Sequence, residues 1–173
     1  MSVDCTFGEG KKGEKKKRDR VGIVVVFPGQ GATRYVHYAF AKRMGIVDTI
    51  AKIHEIYKTF TDVTTGDPMI GKILIEKKAN GEAVMELMGN DIAGVVPYEP
   101  KGDKKSRANA CVPTVEAHNI CLLKGAPWID EFTGELGAFP KGANDDLVDA
   151  FTQAITEMVQ STSVNRLKLM CKL

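Results

Sequence analysis

Residues 21–40 read VGIVVVFPGQGATRYVHYAF, and this stretch decides the fold of the chain. Two apolar runs, Val21–Phe27 and Arg34–Phe40, are rich in β-branched and aromatic residues, which favours β-strands. The PGQGAT segment between them consists of residues typical of turns. The pattern therefore predicts two strands in a hairpin connection.

The sequence after the hairpin alternates between helical and extended patterns. Apolar residues from Ile46 to Phe60 recur at steps of four and three, which predicts a helix of about four turns with one apolar stripe. Further strands are predicted at 72–76, 94–98 and 120–123, and further helices from about Asn80 as N-cap, at 106–116, at 127–136 and from about Asn144. The side chains expected to face inward from two of these helices are Val84, Leu87 and Met88, and Leu147, Phe151, Ile155 and Met158. This order predicts an α/β fold with a mixed β-sheet flanked by helices.

The composition fits one compact domain. Of the 173 residues, 43% are hydrophobic and 27% are charged, which is enough apolar sequence to bury a core. No apolar run approaches the roughly 18 residues that span a bilayer, and the Lys-rich start lacks the apolar stretch of a signal peptide. The four cysteines have neither zinc-ligand spacing nor a disulfide pattern. We expect a soluble, unsecreted single domain over 1–173, with a mobile basic loop at 11–20 and a tail at 160–173.

Two segments resemble phosphate-binding loops, and both fail as Walker motifs. The segment GDPMIGKI (66–73) has Ile73 where a hydroxyl should reach Mg²⁺, and it precedes a strand instead of following one. The segment GEGKKGEK (8–15) has Glu14 where the lysine belongs. The sequence therefore does not predict an ATPase.

Carboxylates occupy the positions where an active site built on a sheet would place them. Asp4 precedes the first hairpin, Glu76 ends an apolar strand, and Asp145 with Asp146 begins the last helix. Such acids repel one another unless cations lie between them, and hard oxygen ligands suit Mg²⁺ or Mn²⁺. Two such ions can activate a water and stabilise the leaving oxygen of a phosphodiester.

Asp4 alone indicates little because it lies so near a terminus, and the other acids each have a purely structural interpretation. Asp145 and Asp146 stabilise the start of any helix through its macrodipole. Glu76 is either exposed where the sheet ends or retained for chemistry. Asp149 is expected off the apolar stripe, on a solvated face of the last helix. These alternatives stay open from the residues alone.

Basic side chains near these acids can hold phosphates that the acids would otherwise repel. The residues we expect to contact a DNA backbone are Lys78, Lys101, Lys104, Lys105 and Arg107. A solvated loop is the alternative interpretation of the basic segments. The three histidines have no spacing typical of a catalytic or metal site, and Trp128 is expected to serve packing.

Five short motifs, in order, make the chain resemble the nuclease domain of the terminase large subunit of tailed bacteriophages. They are IEKKANG (75–81), PKGDK (100–104) with Arg107, PW (127–128), FPKG (139–142) and NDDLVDA (144–150), and SVDCTFG (2–8) resembles that family's first acidic motif. The resemblance implies an RNase H-like fold and a two-metal endonuclease that cuts concatemeric viral DNA during packaging. It implies that the catalytic and metal-binding acids are Asp4, Glu76, Asp145 and Asp146, with Asp149 as a further candidate ligand.

Two positions depart from the family pattern. Lys77 stands where the family commonly has an acid, and Asn144 stands where the family usually has histidine before the acidic doublet. A catalytically degenerate DNA-binding module is therefore an alternative to an active nuclease. A related RNase H-like enzyme, such as a junction resolvase or a transposase-type nuclease, is a third interpretation, and the motif order argues against it.

The resemblance also implies partners and a location. Double-stranded DNA is the expected substrate, and the terminase ATPase domain, the small terminase subunit and the portal are the expected partners. The ATPase domain is absent from this sequence, which predicts an excised domain or a split gene product. The implied location is the host-cell cytoplasm, with no membrane partner.

Overall fold

A computed structural model describes residues 1–5, 20–77, 79–89 and 91–170, with the side chains at 79, 80 and 162–170 outside the description. The strands are β1 (Ser2–Asp4), β2 (Arg20–Pro28), β3 (Arg34–Arg43), β4 (Ile73–Glu76), β5 (Val95–Tyr98) and β6 (Ile120–Leu122). The helices are α1 (Ile46–Thr59), α2 (Ala79–Met88), α3 (Lys104–Glu116), α4 (Ile129–Ala138) and α5 (Asp146–Met170).

The strands form one mixed sheet in the order β5-β4-β1-β2-β3-β6. Strands β1, β2 and β3 pair with one another as an antiparallel meander, and the β2–β3 pair confirms the predicted hairpin. Strand β4 pairs parallel with β1, and β5 pairs parallel with β4. At the other edge of the sheet, β6 pairs parallel with β3. The α/β class and the mixed sheet predicted from the sequence are both confirmed.

The apolar run in β2 is buried on both faces of the sheet. Ile23 and Val25 face a core formed with α1 and α2, whereas Val24 and Val26 face a second core formed with α3, α4 and α5. Successive side chains of a strand point to opposite faces, so a continuous apolar run fits a strand covered on both sides. Helices therefore flank the sheet on each face.

Most predicted core positions are buried, and three details differ. Leu87 is 63% exposed because Val84 and Met88 form the inner face of α2, so its predicted inward orientation is wrong. Asn80 is not an N-cap, since α2 already begins at Ala79. Helix α3 begins two residues earlier than predicted because Asp103 caps it, accepting a hydrogen bond from the Ser106 N–H at 2.7 Å.

The ends of two predicted segments fall differently in the structure. Residues 11–19 of the expected basic loop lie outside the described residues, and Arg20 opens β2. Helix α5 continues to Met170, through most of the residues assigned to the tail. Within the described part of the chain, no helix is long and apolar enough to cross a membrane.

Candidate active site

Asp4 and Glu76 end two neighbouring parallel strands at the same edge of the sheet. Val3 pairs with Ile75 in the β1–β4 ladder. Asp4 and Glu76 follow these two residues and therefore lie at the next position along the two strands. Val3 and Ile75 pack into the core against α1 and α2. Side-chain alternation therefore turns Asp4 and Glu76 to the opposite face, toward α5, where both are buried.

Two glycines allow helices to approach these acids closely. Gly22 pairs with Asp4 across the β1–β2 ladder, and a Cβ at Gly22 would lie 2.3 Å from the Asp146 carbonyl oxygen at the start of α5. A Cβ at Gly81 would lie 1.9 Å from the Glu76 carbonyl oxygen. Both contacts are too short for any side chain. Gly22 therefore allows the start of α5 to approach β2 beside Asp4, and Gly81 allows α2 to approach the end of β4 at Glu76.

Asp149 on α5 joins this group. Its carboxylate is 6% exposed and lies 2.7 Å from the Lys104 Nζ and 2.7 Å from an Arg107 guanidinium nitrogen. The prediction of a solvated position for Asp149 is wrong because α3 packs against that side of α5 and supplies both cations. The sequence alone did not show which helix would cover this face.

The surroundings of Asp4 strongly disfavour its charge. Burial is the largest effect and, with repulsion from Asp149, Glu76 and Asp146 in decreasing order, it raises the pKa of Asp4 to about 7. The positive charge of Lys104 acts in the opposite direction. We call Asp4, Glu76, Asp146 and Asp149 the acid cluster.

Asp146 lies at the edge of the acid cluster, next to a group of opposite charge. Burial raises its pKa to about 6, while Arg20, 3.6 Å from its carboxylate, lowers it and Glu135 raises it. Arg20 also donates hydrogen bonds to Glu131 and Glu135. Glu135 in turn accepts a hydrogen bond from the Leu147 N–H at 2.6 Å. We call Arg20, Glu131 and Glu135 the Arg20 brace.

Asp145 lies outside the acid cluster, at its rim. Its side chain is 41% exposed and contacts Lys104 Nζ at 2.7 Å. Its backbone carbonyl accepts a hydrogen bond from the Asp149 N–H at 2.9 Å, the bond that begins α5. Asn144 beside it is exposed. Of the predicted acids, Asp4, Glu76 and Asp146 are therefore brought together, with Asp149 added and Asp145 at the margin.

The acid at the end of β4 is Glu76 and not its neighbour. Lys77 is exposed and donates a hydrogen bond to Glu99 at 3.0 Å, away from the acid cluster. This contact raises the pKa of Lys77. The unusual lysine therefore does not enter the cluster.

The basic residues expected to contact DNA divide into two groups. Lys101 and Lys105 are exposed, whereas Lys104 and Arg107 form ion pairs with Asp149. Lys78 lies outside the described residues. Trp128 packs in the core, edge-on against Phe132, with ring centroids 5.8 Å apart.

Sequence reasoning missed the Arg20 brace and the role of Gly22. Arg20 and Glu135 are separated by 115 residues, so no local pattern could have linked them. A glycine inside an otherwise continuous apolar strand is a usable signal, because it often marks close approach of another backbone. Gly22 interrupts the β2 run in this way.

The family comparison agrees with this arrangement of sheet, helices and acids. The family model for the terminase RNaseH-like domain matches residues 1–158. The chain belongs to this family. The terminase RNaseH-like fold is thereby established for this chain, and membership supports a nuclease role in DNA packaging. A search of curated proteins found no match.

The donor chemistry of the acid cluster fits a divalent cation. Buried carboxylates on β1, β4 and α5 provide hard oxygen donors, and burial, followed by repulsion from the other acids, raises the pKa of Asp4. As they are placed, no three His, Cys, Asp or Glu side chains within the described residues are grouped to hold a metal ion. Lys104 instead contacts Asp145 and Asp149. The carboxylate oxygens of the acid cluster are thus suitable metal ligands, and the Lys104 ammonium group lies against one of these carboxylates, that of Asp149.

Proposed function

We propose that this terminase RNaseH-like domain is a metal-dependent endonuclease that hydrolyses phosphodiesters of double-stranded DNA. The observation that carries the proposal is the burial of Asp4 among three other carboxylates, which raises its pKa to about 7. Holding an acid in this environment lowers the stability of the fold. Perturbed acids of this kind are typical of functional sites.

Divalent ions, Mg²⁺ or Mn²⁺, would supply activation of the attacking water and stabilisation of the leaving oxygen. We propose that Asp4, Glu76 and Asp149 would be the ligands, because Glu76 and Asp149 exert the two largest repulsions on Asp4. Asp146 and Asp145 lie at the edge and contribute negative charge there. Two ions fit the proposal because four buried or partly buried carboxylates share the site.

The residues on α3 and before it would position the DNA. Lys101 and Lys105 are exposed and lie near the start of α3, close in sequence to Lys104 and Arg107, which contact Asp149. Their charges would bind backbone phosphates without reading the base sequence. Affinity for DNA would therefore fall steeply as salt concentration rises.

The partners proposed for the domain follow from its family. A terminase ATPase domain, a small terminase subunit and a portal would deliver double-stranded DNA to the acid cluster, in the host-cell cytoplasm. In this arrangement the domain supplies the cut and its partners choose where the cut is made.

Nicking of supercoiled plasmid tests the proposal. The purified chain should nick plasmid with Mg²⁺ or Mn²⁺ and stop when EDTA is added. Asp4→Asn and Glu76→Gln should lower the rate by about a hundredfold or more, since each removes a ligand. Asp130→Asn is the matched control, because Asp130 is an exposed acid in the first turn of α4. Cleavage that survives complete chelation, or variants as active as the parent chain, would contradict the proposal.

A second candidate is a DNA-binding module without catalysis. The observation that favours it is the placement of the acids, since no three of them within the described residues are grouped to hold a metal ion. This candidate predicts salt-sensitive DNA binding with no nicking under any divalent metal. The plasmid assay, paired with a binding assay on the same preparation, separates the two candidates.

A further inference from the structure

Lys104 holds an unusual position between two acids at the mouth of the acid cluster. Its Nζ lies 2.7 Å from a carboxylate oxygen of Asp145 and 2.7 Å from one of Asp149. The two hydrogen bonds and the two negative charges raise the pKa of Lys104, although partial burial opposes this effect. The ammonium group therefore remains charged and links the partly exposed Asp145 carboxylate to the buried Asp149 carboxylate.

We propose that Lys104 is a displaceable counter-ion, which neutralises Asp149 and Asp145 in the metal-free protein and must leave them before a divalent cation binds. The inference rests on the proposed metal-dependent function of the acid cluster. It explains why an ammonium group lies against the carboxylates of both Asp145 and Asp149. Metal and ammonium compete for the same carboxylate oxygens.

Arg107 contacts the same carboxylate as Lys104 but is held more firmly. Its side chain is 11% exposed, and it donates to the Gly102 carbonyl at 3.1 Å as well as to Asp149 at 2.7 Å. The Lys104 side chain is 45% exposed, on a flexible stem at the first residue of α3. Moving Lys104 therefore exposes little new surface, whereas moving Arg107 would break its backbone contact and unpair a buried guanidinium. Lys104 is the cation that can leave.

The released ammonium has a second acceptor when DNA is present. A phosphate that approaches the acid cluster brings negative charge to the half-exposed side of Lys104. Transfer of Lys104 from Asp149 to a phosphate would free a metal ligand at the moment the substrate arrives. Metal binding and DNA binding would then strengthen each other, as linkage requires.

Direct measurement of Mn²⁺ binding in the absence of DNA tests the competition. Titration calorimetry on the whole chain at fixed ionic strength compares the parent with Lys104→Gln, Lys104→Arg and Lys124→Gln. Lys124 is an exposed lysine after β6, the edge strand that β2 and β3 separate from β1, so its variant loses the same charge away from the strands that carry Asp4 and Glu76. Thermal melts of each variant establish that it is folded, and Arg107 still pairs with Asp149 when Lys104 is replaced.

We expect Lys104→Gln to bind Mn²⁺ roughly tenfold more tightly than the parent, the effect of removing one competing charge at a partly exposed site. Lys104→Arg and Lys124→Gln should bind as the parent does. Unchanged or weaker binding by Lys104→Gln, with measurable binding by the parent, would overturn the counter-ion role and leave the nuclease proposal standing. No Mn²⁺ binding by the parent or by Lys104→Gln would overturn both.

Discussion

Asp149 and Asp146 lie three residues apart at the start of α5, yet their surroundings differ. Asp149 pairs with Lys104 and Arg107 and acts on Asp4, whose pKa burial and repulsion from neighbouring acids raise to about 7. Asp146 lies beside the Arg20 brace, where one buried guanidinium contacts Glu131 and Glu135. The Arg20 brace holds its acids by direct contact with a guanidinium, whereas Asp4 is held where burial and neighbouring acids disfavour its charge.

This difference separates structural acids from functional ones. Glu135 fixes the start of α5 by accepting hydrogen bonds from Arg20 and from the Leu147 N–H. Ionisation of Asp4 makes the fold less stable, because burial and neighbouring acids disfavour the charge. Binding of a divalent cation, as proposed above, would require that charge and accounts for the position of Asp4. Removing an acid should therefore have opposite effects on stability on the two sides.

The largest effect on stability is expected from Glu135→Ala. The substitution removes one of the three acids around Arg20, whose side chain is 11% exposed, and leaves the Leu147 N–H without this acceptor. We expect the free energy of unfolding to fall by about 3–5 kcal/mol. Glu131→Ala is the control, because that partner of Arg20 is 53% exposed and its loss should cost about 1 kcal/mol or less. Denaturant titrations measure the free energy of unfolding of both variants. Equal losses would contradict the stabilising role assigned to Glu135 in the Arg20 brace.

Asp4→Asn should have the opposite sign. The folded pKa of Asp4, about 7, lies above its ordinary value of 3.8, so the unfolded chain releases this proton first. The contribution of Asp4 to stability therefore falls as pH rises from about 4 to about 7 and then stays constant. Above pH 7 in EDTA, Asp4→Asn should be more stable than the parent by up to about 4 kcal/mol.

Denaturant titrations at pH 5 and pH 8 give the pH dependence directly. The parent should lose stability between these values relative to Asp4→Asn, whose amide does not titrate. Parallel pH dependence in the two proteins would show that Asp4 is not held in a charge-disfavouring position.

Gly81→Ala tests how tightly α2 meets the end of β4. The added Cβ would lie 1.9 Å from the Glu76 carbonyl oxygen, so the helix or the strand must shift. We expect a loss of about 2 kcal/mol together with slower nicking, because Glu76 moves with its strand. Gly134→Ala is the control, since a Cβ there meets nothing within 4 Å and should stabilise α4 by about 0.5–1 kcal/mol. Similar changes in the free energy of unfolding for Gly81→Ala and Gly134→Ala would contradict the close approach of α2 to the end of β4.

Lys77→Ala should have the smallest effect. Lys77 pairs with Glu99 on the surface, and solvent and salt screen exposed ion pairs so that they contribute little to stability. We also expect Lys77→Asp to leave the nicking rate within about twofold of the parent, since this position points away from the acid cluster. A large gain in activity with Lys77→Asp would mean that the family's acid at this position is a ligand the chain lacks.

The parts of the site that the sequence predicted depend on local patterns. Glu76 could be identified because three buried aliphatic residues lead directly to it, and the KANG glycine follows within five residues. The interpretation of Asp149 as a solvated residue failed because its burial depends on α3, through an Arg107 contact that spans 42 residues. The Arg20 brace spans still more of the chain. Long-range ion pairs leave no periodic signal in a single sequence.

The most direct test of the acid cluster compares Asp149→Asn with Asp146→Asn in Mn²⁺-dependent nicking, with DNA binding measured on the same preparations. We expect Asp149→Asn to abolish nicking while DNA binding persists, and Asp146→Asn to retain a measurable rate. Full activity of Asp149→Asn, together with loss of nicking in Asp146→Asn, would contradict the assignment of Asp4, Glu76 and Asp149 as the working site.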